Sequence, residues 1–345
     1  TAVLLIALRY VPESRDPDSR RLDVPGAVLA TVGLGGIVYG LINSSLAGFG
    51  SAAVILSLFL GTLALVAFVA REQRTQDPML PLTLFRSRNF SGANLLTLLL
   101  YAALGGALYF LPFALIQVHG YSATAAGSSF LPFVIITFLM SRWAGGLVTR
   151  YGARLPLIIG PVIAATGFIL FAIPGTEGSY WTTFFPAIVV LGFGMSFVIA
   201  PLTTTALNSV EGRHSGLASG VNNAVSRTAS LIAIPVLGIF VFVVFSASLD
   251  AQVATLDLSQ GAHQQLEAQK VNLGAAQVPE GLGDETAAVQ RAIRESFVAG
   301  FRVAMFVAVG LALASAVAAG IMIEGKGQPV SSEEASRPEG KTAPA

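Results

Sequence analysis

Eight apolar stretches, each about twenty residues long, run through this chain, and that length matches what a helix needs to cross a bilayer. A helix rising ~1.5 Å per residue covers the roughly 30 Å of hydrocarbon in about 20 residues. The stretches are Val24–Asn43, Ser51–Ala70, Ser91–Val118, Ala125–Ser141, Leu155–Ile173, Trp181–Leu207, Gly216–Phe245 and Phe297–Ile323. Inside lipid a spanning segment must satisfy its own backbone, and runs of this length do so as helices. The sequence therefore predicts an all-α, polytopic transmembrane helix bundle.

Composition points the same way. Hydrophobic residues make up 54% of the chain and charged residues 11%, under half the roughly 25% charge of soluble domains. The net charge of +1 is split among connectors and signals no nucleic-acid partner. With no cysteine, disulfides and cysteine metal sites are excluded. His119, His214 and His263 lie far apart in connectors, so no histidine metal centre is expected.

The basic residues alternate along the chain. Arg9, Arg15, Arg20 and Arg21 precede the first span, and the connector Ser44–Gly50 has none. Arg71, Arg74, Arg86 and Arg88 follow, then none in His119–Thr124; Arg142, Arg150 and Arg154 come next, then none in Pro174–Tyr180, then Arg213. Lys326, Arg337 and Lys341 close the tail. The positive-inside rule puts every arginine-bearing connector and the C-terminus in the cytoplasm of a multi-pass plasma-membrane protein. The long connector Ser246–Ser296 falls outside, where length overrides its Lys270, Arg291 and Arg294. It is either a mobile loop or a pair of extramembrane helices, with Asp284 placed to cap the second. The Pro-, Ser- and Glu-rich tail at 324–345 has nothing to bury and is expected to be disordered. Thr1–Leu8 is apolar, too short to span, and lacks signal-peptide features. It reads as the end of a helix whose first half is missing, so the chain is expected to be the C-terminal part of a longer protein.

Several connectors carry recognisable motifs. Asp77-Pro78-Met79-Leu80-Pro81-Leu82 is followed by Leu84-Phe85-Arg86-Ser87-Arg88-Asn89-Phe90. Gly120-Tyr121-Ser122-Ala123 comes with Gly127 and Pro132, and Gly145-Gly146-Leu147-Val148-Thr149-Arg150-Tyr151-Gly152-Ala153-Arg154 stands further on. Gly216-Leu217-Ala218-Ser219-Gly220-Val221-Asn222-Asn223 is followed by Arg227. In this order the motifs resemble the second six-helix half of the major facilitator superfamily, and specifically its fourteen-span drug:proton antiporter family. The resemblance covers about Asp77 to Phe245.

That resemblance implies a major facilitator bundle with two central extra spans at 23–71, a cytoplasmic linker at 72–90 and the six-helix half at 91–323. It implies a secondary active transporter, exporting a small hydrophobic or cationic substrate in exchange for protons by alternating access, with no cofactor beyond the proton gradient. An exporter of a metabolite or lipid is the alternative within the class. The loop motif residues would be Gly145, Leu147, Arg150, Gly152 and Arg154. Thr149 and Ala153 stand where the family carries Asp and a basic residue, which weakens a charge lock in this loop. Arg150 and Arg154 either bind helix C-termini or acidic groups, or are plain positive-inside charges.

Candidate pathway-lining residues are Asn222, Asn223, Arg227, Tyr101, Tyr109, Gln117 and Phe197. Arg227 lies near mid-membrane, where a guanidinium costs at least ~2.5–3.5 kcal/mol on insertion scales. It either lines a wet pathway or pairs with a carboxylate, or it snorkels to a helix-end partner. Asn222 and Asn223 supply a polar face or interhelical glue. The aromatics are cavity walls or ordinary packing residues. Arg302, five residues into the last span, is expected to snorkel to the outer interface. The pairs Gly36/Gly40 and Gly216/Gly220 are expected to let backbones approach closely, and Gly105-Gly106, Gly192, Gly194 and Pro201 to interrupt helices that bend.

No Asp or Glu is read as lying deep in a span; Asp23, Glu211, Glu295 and Glu324 flank ends. A proton-coupling carboxylate would then belong to the missing half, and this chain alone is expected not to transport. A membrane enzyme would need a catalytic cluster that is absent from the sequence. A channel would need a filter loop or a charged ring, and a nucleotide-driven pump a phosphate-binding Gly-Lys loop.

Overall fold

The computed structural model describes residues 23–75, 78–210, 215–256, 258–279 and 281–325, apart from the side chains of 45, 46, 149 and 284. The expectations for 1–22, Asp77, Glu211, Arg213, His214 and the tail from Lys326 fall outside these residues. Eight helices are long and apolar enough to cross a membrane. They are α1 (Val24–Ala47), α2 (Ala52–Arg74), α3 (Arg88–Phe113) and α4 (Leu131–Tyr151). There follow α5 (Arg154–Ala172), α6 (Phe185–Asn208), α7 (Ser215–Val253) and α8 (Thr286–Met322). No strand occurs among the described residues.

Local chemistry sets several ends. Asp23 caps α1, its carboxylate accepting from the Gly26 N–H at 3.0 Å, and Pro25 fills the first turn, where its missing N–H has no helical partner to lose. Pro186 does the same for α6, which begins at Phe185 after a separate turn, Tyr180–Thr183, instead of running from Trp181. Past Pro112, α3 widens into a π turn over Ala114–Val118.

The core belongs to α3 and α5–α8, with α4 packed on α6. Helix α3 packs against α7 and α8, α8 against α5, and α5 against α6. Helices α1 and α2 form a hairpin that meets the bundle chiefly through α1 on α7.

Glycines set the closest approaches. A Cβ on Gly194 of α6 would stand 2.5 Å from the Ala164 nitrogen and 2.8 Å from the Gly160 carbonyl of α5. In the hairpin, Gly36 meets Gly61 with only 3.0 Å to spare for a Cβ. Among the described residues nothing stands within 4 Å of a Cβ on Gly216 or Gly220, so the close approach expected there is not made among them. Helices α3 and α6 run unbroken through Gly105-Gly106, Gly192, Gly194 and Pro201. In α6 the glycines relieve packing: Gly192 faces Phe133 and Ile136 of α4.

The long connector is largely helical. Helix α7, with 39 residues, is roughly 58 Å long at ~1.5 Å per residue, well beyond a bilayer's hydrocarbon core. Helix α8 starts eleven residues ahead of Phe297, and the short helix Gln260–Gln269 bridges the two. Asp284 lies inside a 3₁₀ turn, Gly283–Glu285; the N-cap of α8 is Glu285, which makes no side-chain cap.

Candidate functional site

The seam between α3 and α7 carries a row of side-chain hydrogen bonds between the two helices. Asn222 of α7 donates to the Thr97 hydroxyl at 2.7 Å and to Asn94 Oδ1 at 3.4 Å. Asn94 and Thr97 are buried, and each also donates to a carbonyl one turn back in α3. Further along, the Ser230 hydroxyl reaches the Tyr101 carbonyl at 3.1 Å, where Gly105 leaves room for the serine. With no bulk water in the hydrocarbon region, such bonds hold helices together at about 0.6–2 kcal/mol each. Asn222 thus has the geometry of interhelical glue, and Tyr101 takes part through its backbone.

Asn223 and Arg227 lie on another face of α7, and both are exposed. The Asn223 amide bonds only its own helix, at the Ser219 carbonyl. Among the described residues no hydrogen bond or ion pair reaches the Arg227 guanidinium. It stands at the thirteenth residue of α7, in the stretch expected to cross the bilayer.

The arginine-bearing ends of the helices gather at one pole. Gly152, at φ +80°, ends α4 by donating to the Val148 carbonyl and turns the chain into α5, a conformation that L side chains resist. Arg154 then donates to the Gly320 carbonyl, and Arg88 to the Ile321 carbonyl at 3.0 Å, so two guanidinium groups cap the C-terminus of α8. Asn89 reinforces the clasp, accepting from the Glu324 N–H at 2.8 Å. Arg150 is exposed, with its guanidinium 5.4 Å from the Tyr151 ring centroid. Gly145 approaches Ala200 of α6, and Leu147 is half-buried.

A second ionic cluster closes the hairpin at this pole. Arg71 bonds Asp23 through Nη2 at 2.8 Å and Nε at 3.0 Å, which with the Gly26 N–H holds the Asp23 carboxyl below its usual range. Next to it Glu72 is buried; its Oε2 accepts from the Leu80 N–H at 2.8 Å, while its Oε1 has no partner among the described residues. The sequence reading passed over Glu72, because its burial depends on the linker folding back over it.

At the opposite pole Arg302 does more than reach the interface. Its guanidinium donates to the Ala172, Ile173 and Pro174 carbonyls at 3.0, 3.4 and 3.2 Å, capping α5. Since Arg154 at the start of α5 caps α8, this antiparallel pair is clamped at both ends. Lys270, buried in the long connector, donates to Asp250 and Glu267; burial works against its charge, but these two bonds raise its pKa. His119 lies edge-on to Phe184 and against Tyr121, and burial, then the nearby Arg294, lower its pKa.

Tyr109 and Gln117 stand near this pole, on opposite sides of the Lys270–Ala275 turn. Tyr109 lines a cavity of about 470 Å³ between α1, α3 and α7, and Gln117 a smaller niche of about 290 Å³ facing Arg294. Phe197 sits apart, edge-to-face with Trp143 of α4 at 5.5 Å. The seven candidate lining residues are therefore spread over several surfaces of the bundle.

Comparison with known proteins shows the family. The model of the Major Facilitator Superfamily matches residues 2–234. The multidrug resistance protein Stp of Mycobacterium tuberculosis is 31% identical over 253 residues, covering 72% of this chain and 46% of Stp. The cephamycin export protein CmcT of Amycolatopsis lactamdurans is 33% identical over 239 residues, covering 68% of this chain and 49% of CmcT. The chain spans about half the length of the curated relatives it matches. The crystal structure of a bacterial homologue of the human lysosomal transporter Spinster, in an inward-facing and unoccupied conformation, overlays with a TM-score of 0.48 at 17% identity, covering 84% of this chain and 66% of that one.

Proposed function

This chain belongs to the Major Facilitator Superfamily, and from that premise we propose that it is the C-terminal part of a proton-coupled efflux antiporter of the fourteen-span type. In this reading α3–α8 form the second six-helix half, and α1 and α2 are the two central extra spans. The arginine-bearing pole faces the cytosol. The cargo is a small hydrophobic or cationic compound, in keeping with relatives named for multidrug resistance and antibiotic export. The exchange is driven by a proton gradient and needs no cofactor.

Arg227 carries the proposal. A guanidinium in a bilayer-crossing segment without a partner among the described residues must be met by water or by an anionic group. Asn223, one turn earlier and also exposed, extends the same polar stripe. Such a stripe on a spanning helix is what a substrate or ion pathway requires. The described carboxylates stand near helix ends or in connectors, so the proton-carrying carboxylate is assigned to sequence upstream of this chain.

The test is export of a fluorescent cationic dye, driven by an imposed pH gradient, from vesicles containing the full-length transporter. Arg227→Ala is expected to cut the rate at least about tenfold, a rise of roughly 1.4 kcal/mol in the transport barrier. Arg227→Lys, which keeps the charge but loses the planar fork, should fall between. An unchanged rate in Arg227→Ala would remove the main support for a pathway along α7.

A further inference from the structure

The cavity beside Tyr109 opens two turns beyond Arg227 on the same face of α7, from Ile234 onward, and is walled by three helices. Ile42 comes from the last turns of α1, Tyr109 and Phe113 from the end of α3, and Gly238 and Phe242 from α7. Its roof is the turn Lys270–Ala275, in which Leu273 holds φ +52°. That is a strained angle for a residue with a branched side chain, and it persists only where surroundings fix it. Here they do: Lys270 is tied to Asp250 and Glu267, and Gly274 is wedged against Phe297 and Gln117. The roof is therefore set in place by bonds outside the cavity.

The lining contains no charged side chain. Tyr109 packs edge-on against Phe110 at 5.1 Å and tilted against Phe113 at 5.3 Å, presenting ring faces and edges toward the space. Asn272 at the roof supplies hydrogen-bonding capacity at one end. About 470 Å³ falls within the range that holds a drug-sized molecule. Aromatic walls favour ring-bearing compounds through edge and offset stacking. With no carboxylate in the lining, only the aromatic rings are left to offset the desolvation of a permanent cation.

We infer that this cavity is a binding site for an uncharged aromatic compound, entered from the side between the α1–α2 hairpin and the bundle. The inference rests on the transport reading for its purpose, because it makes neutral aromatic cargo bind on the hairpin side of the molecule. Binding itself is measured without a gradient, so the two stand or fall separately.

The full chain, carrying Phe113→Trp with Trp143→Phe and Trp181→Phe, is placed in lipid nanodiscs and titrated with N-phenyl-1-naphthylamine, a neutral aromatic fluorophore. Saturable energy transfer from the single tryptophan is expected. It should weaken at least about tenfold in Gly238→Leu, whose Cβ has 3.8 Å of clearance from Phe110 and whose side chain fills the space. Ile234→Phe, from the same wall, repeats the test if the first variant fails to insert. Tetraphenylphosphonium should not compete. Non-saturable transfer, equal transfer in the filled variants, or competition by the cation would overturn the inference. So would quenching by acyl-brominated phosphatidylcholine that the probe does not relieve, which would make the occupant a lipid. Loss of dye export with this binding intact would count against the transport reading alone.

Discussion

Asn222 and Asn223 are neighbours in sequence, yet a rotation of about 100° per residue sends them to different surroundings. The first ties α7 to Thr97 and Asn94; the second faces open space. Asn222→Ala is expected to lower unfolding free energy by about 0.6–2 kcal/mol in a detergent-denaturation series, with Asn223→Ala unchanged. Equal losses would mean that the seam bonds contribute nothing. The Asp23 carboxyl allows a pH test. Bonds from Arg71 and then Gly26 depress its folded pKa below 3.8, so its stabilisation is complete above that value and lost as pH falls through the lower folded one. Protection of the Gly26 amide from exchange, corrected for intrinsic rates, should therefore fall away in acid below about pH 4, and should already be weak at neutral pH in Arg71→Ala. Arg227 was legible as an anomaly from sequence because a mid-span arginine is rare. Its exposure was not, because exposure depends on which helices flank α7.

At the scale of helices, small residues that look alike in sequence do different things. Gly194 and Gly220 both sit inside apolar runs, but only Gly194 is pressed against a neighbouring backbone. Gly194→Ala should force α5 and α6 apart and destabilise the bundle by about 1–3 kcal/mol, while Gly220→Ala should leave it unharmed. Thermal unfolding in detergent distinguishes them, and a stable Gly194→Ala protein would contradict the seam as described. The spacing of four in Gly216/Gly220 suggested a contact that the packing does not make, because periodicity gives a face but not its partner. The arginine caps show the same limit. Arg302 was readable as an interfacial cation, whereas its three carbonyl partners at the end of α5 come from 128 to 130 residues away.

For the whole molecule, the eight spans and the helical fold class were legible because length and apolarity are local properties that the bilayer tests one segment at a time. How the spans pack is set by long-range contacts that hydropathy does not record. The hairpin's attachment through α1 to α7, and the folding of the long connector into a roof, belong to that second kind. Sidedness rests on the arginine alternation, and the pole where Arg71, Arg88, Arg150 and Arg154 gather is where the charges agree. Because the chain has no cysteine, single cysteines can be placed without background at exposed Thr83 on that pole and at exposed Glu177 and Gln277 on the other. Labelling of intact cells by a membrane-impermeant maleimide should modify Glu177→Cys and Gln277→Cys at once, and Thr83→Cys only after the cells are opened. Labelling of Thr83→Cys from outside, or of all three alike in intact cells, would contradict a bundle that crosses the membrane with its arginine pole in the cytosol.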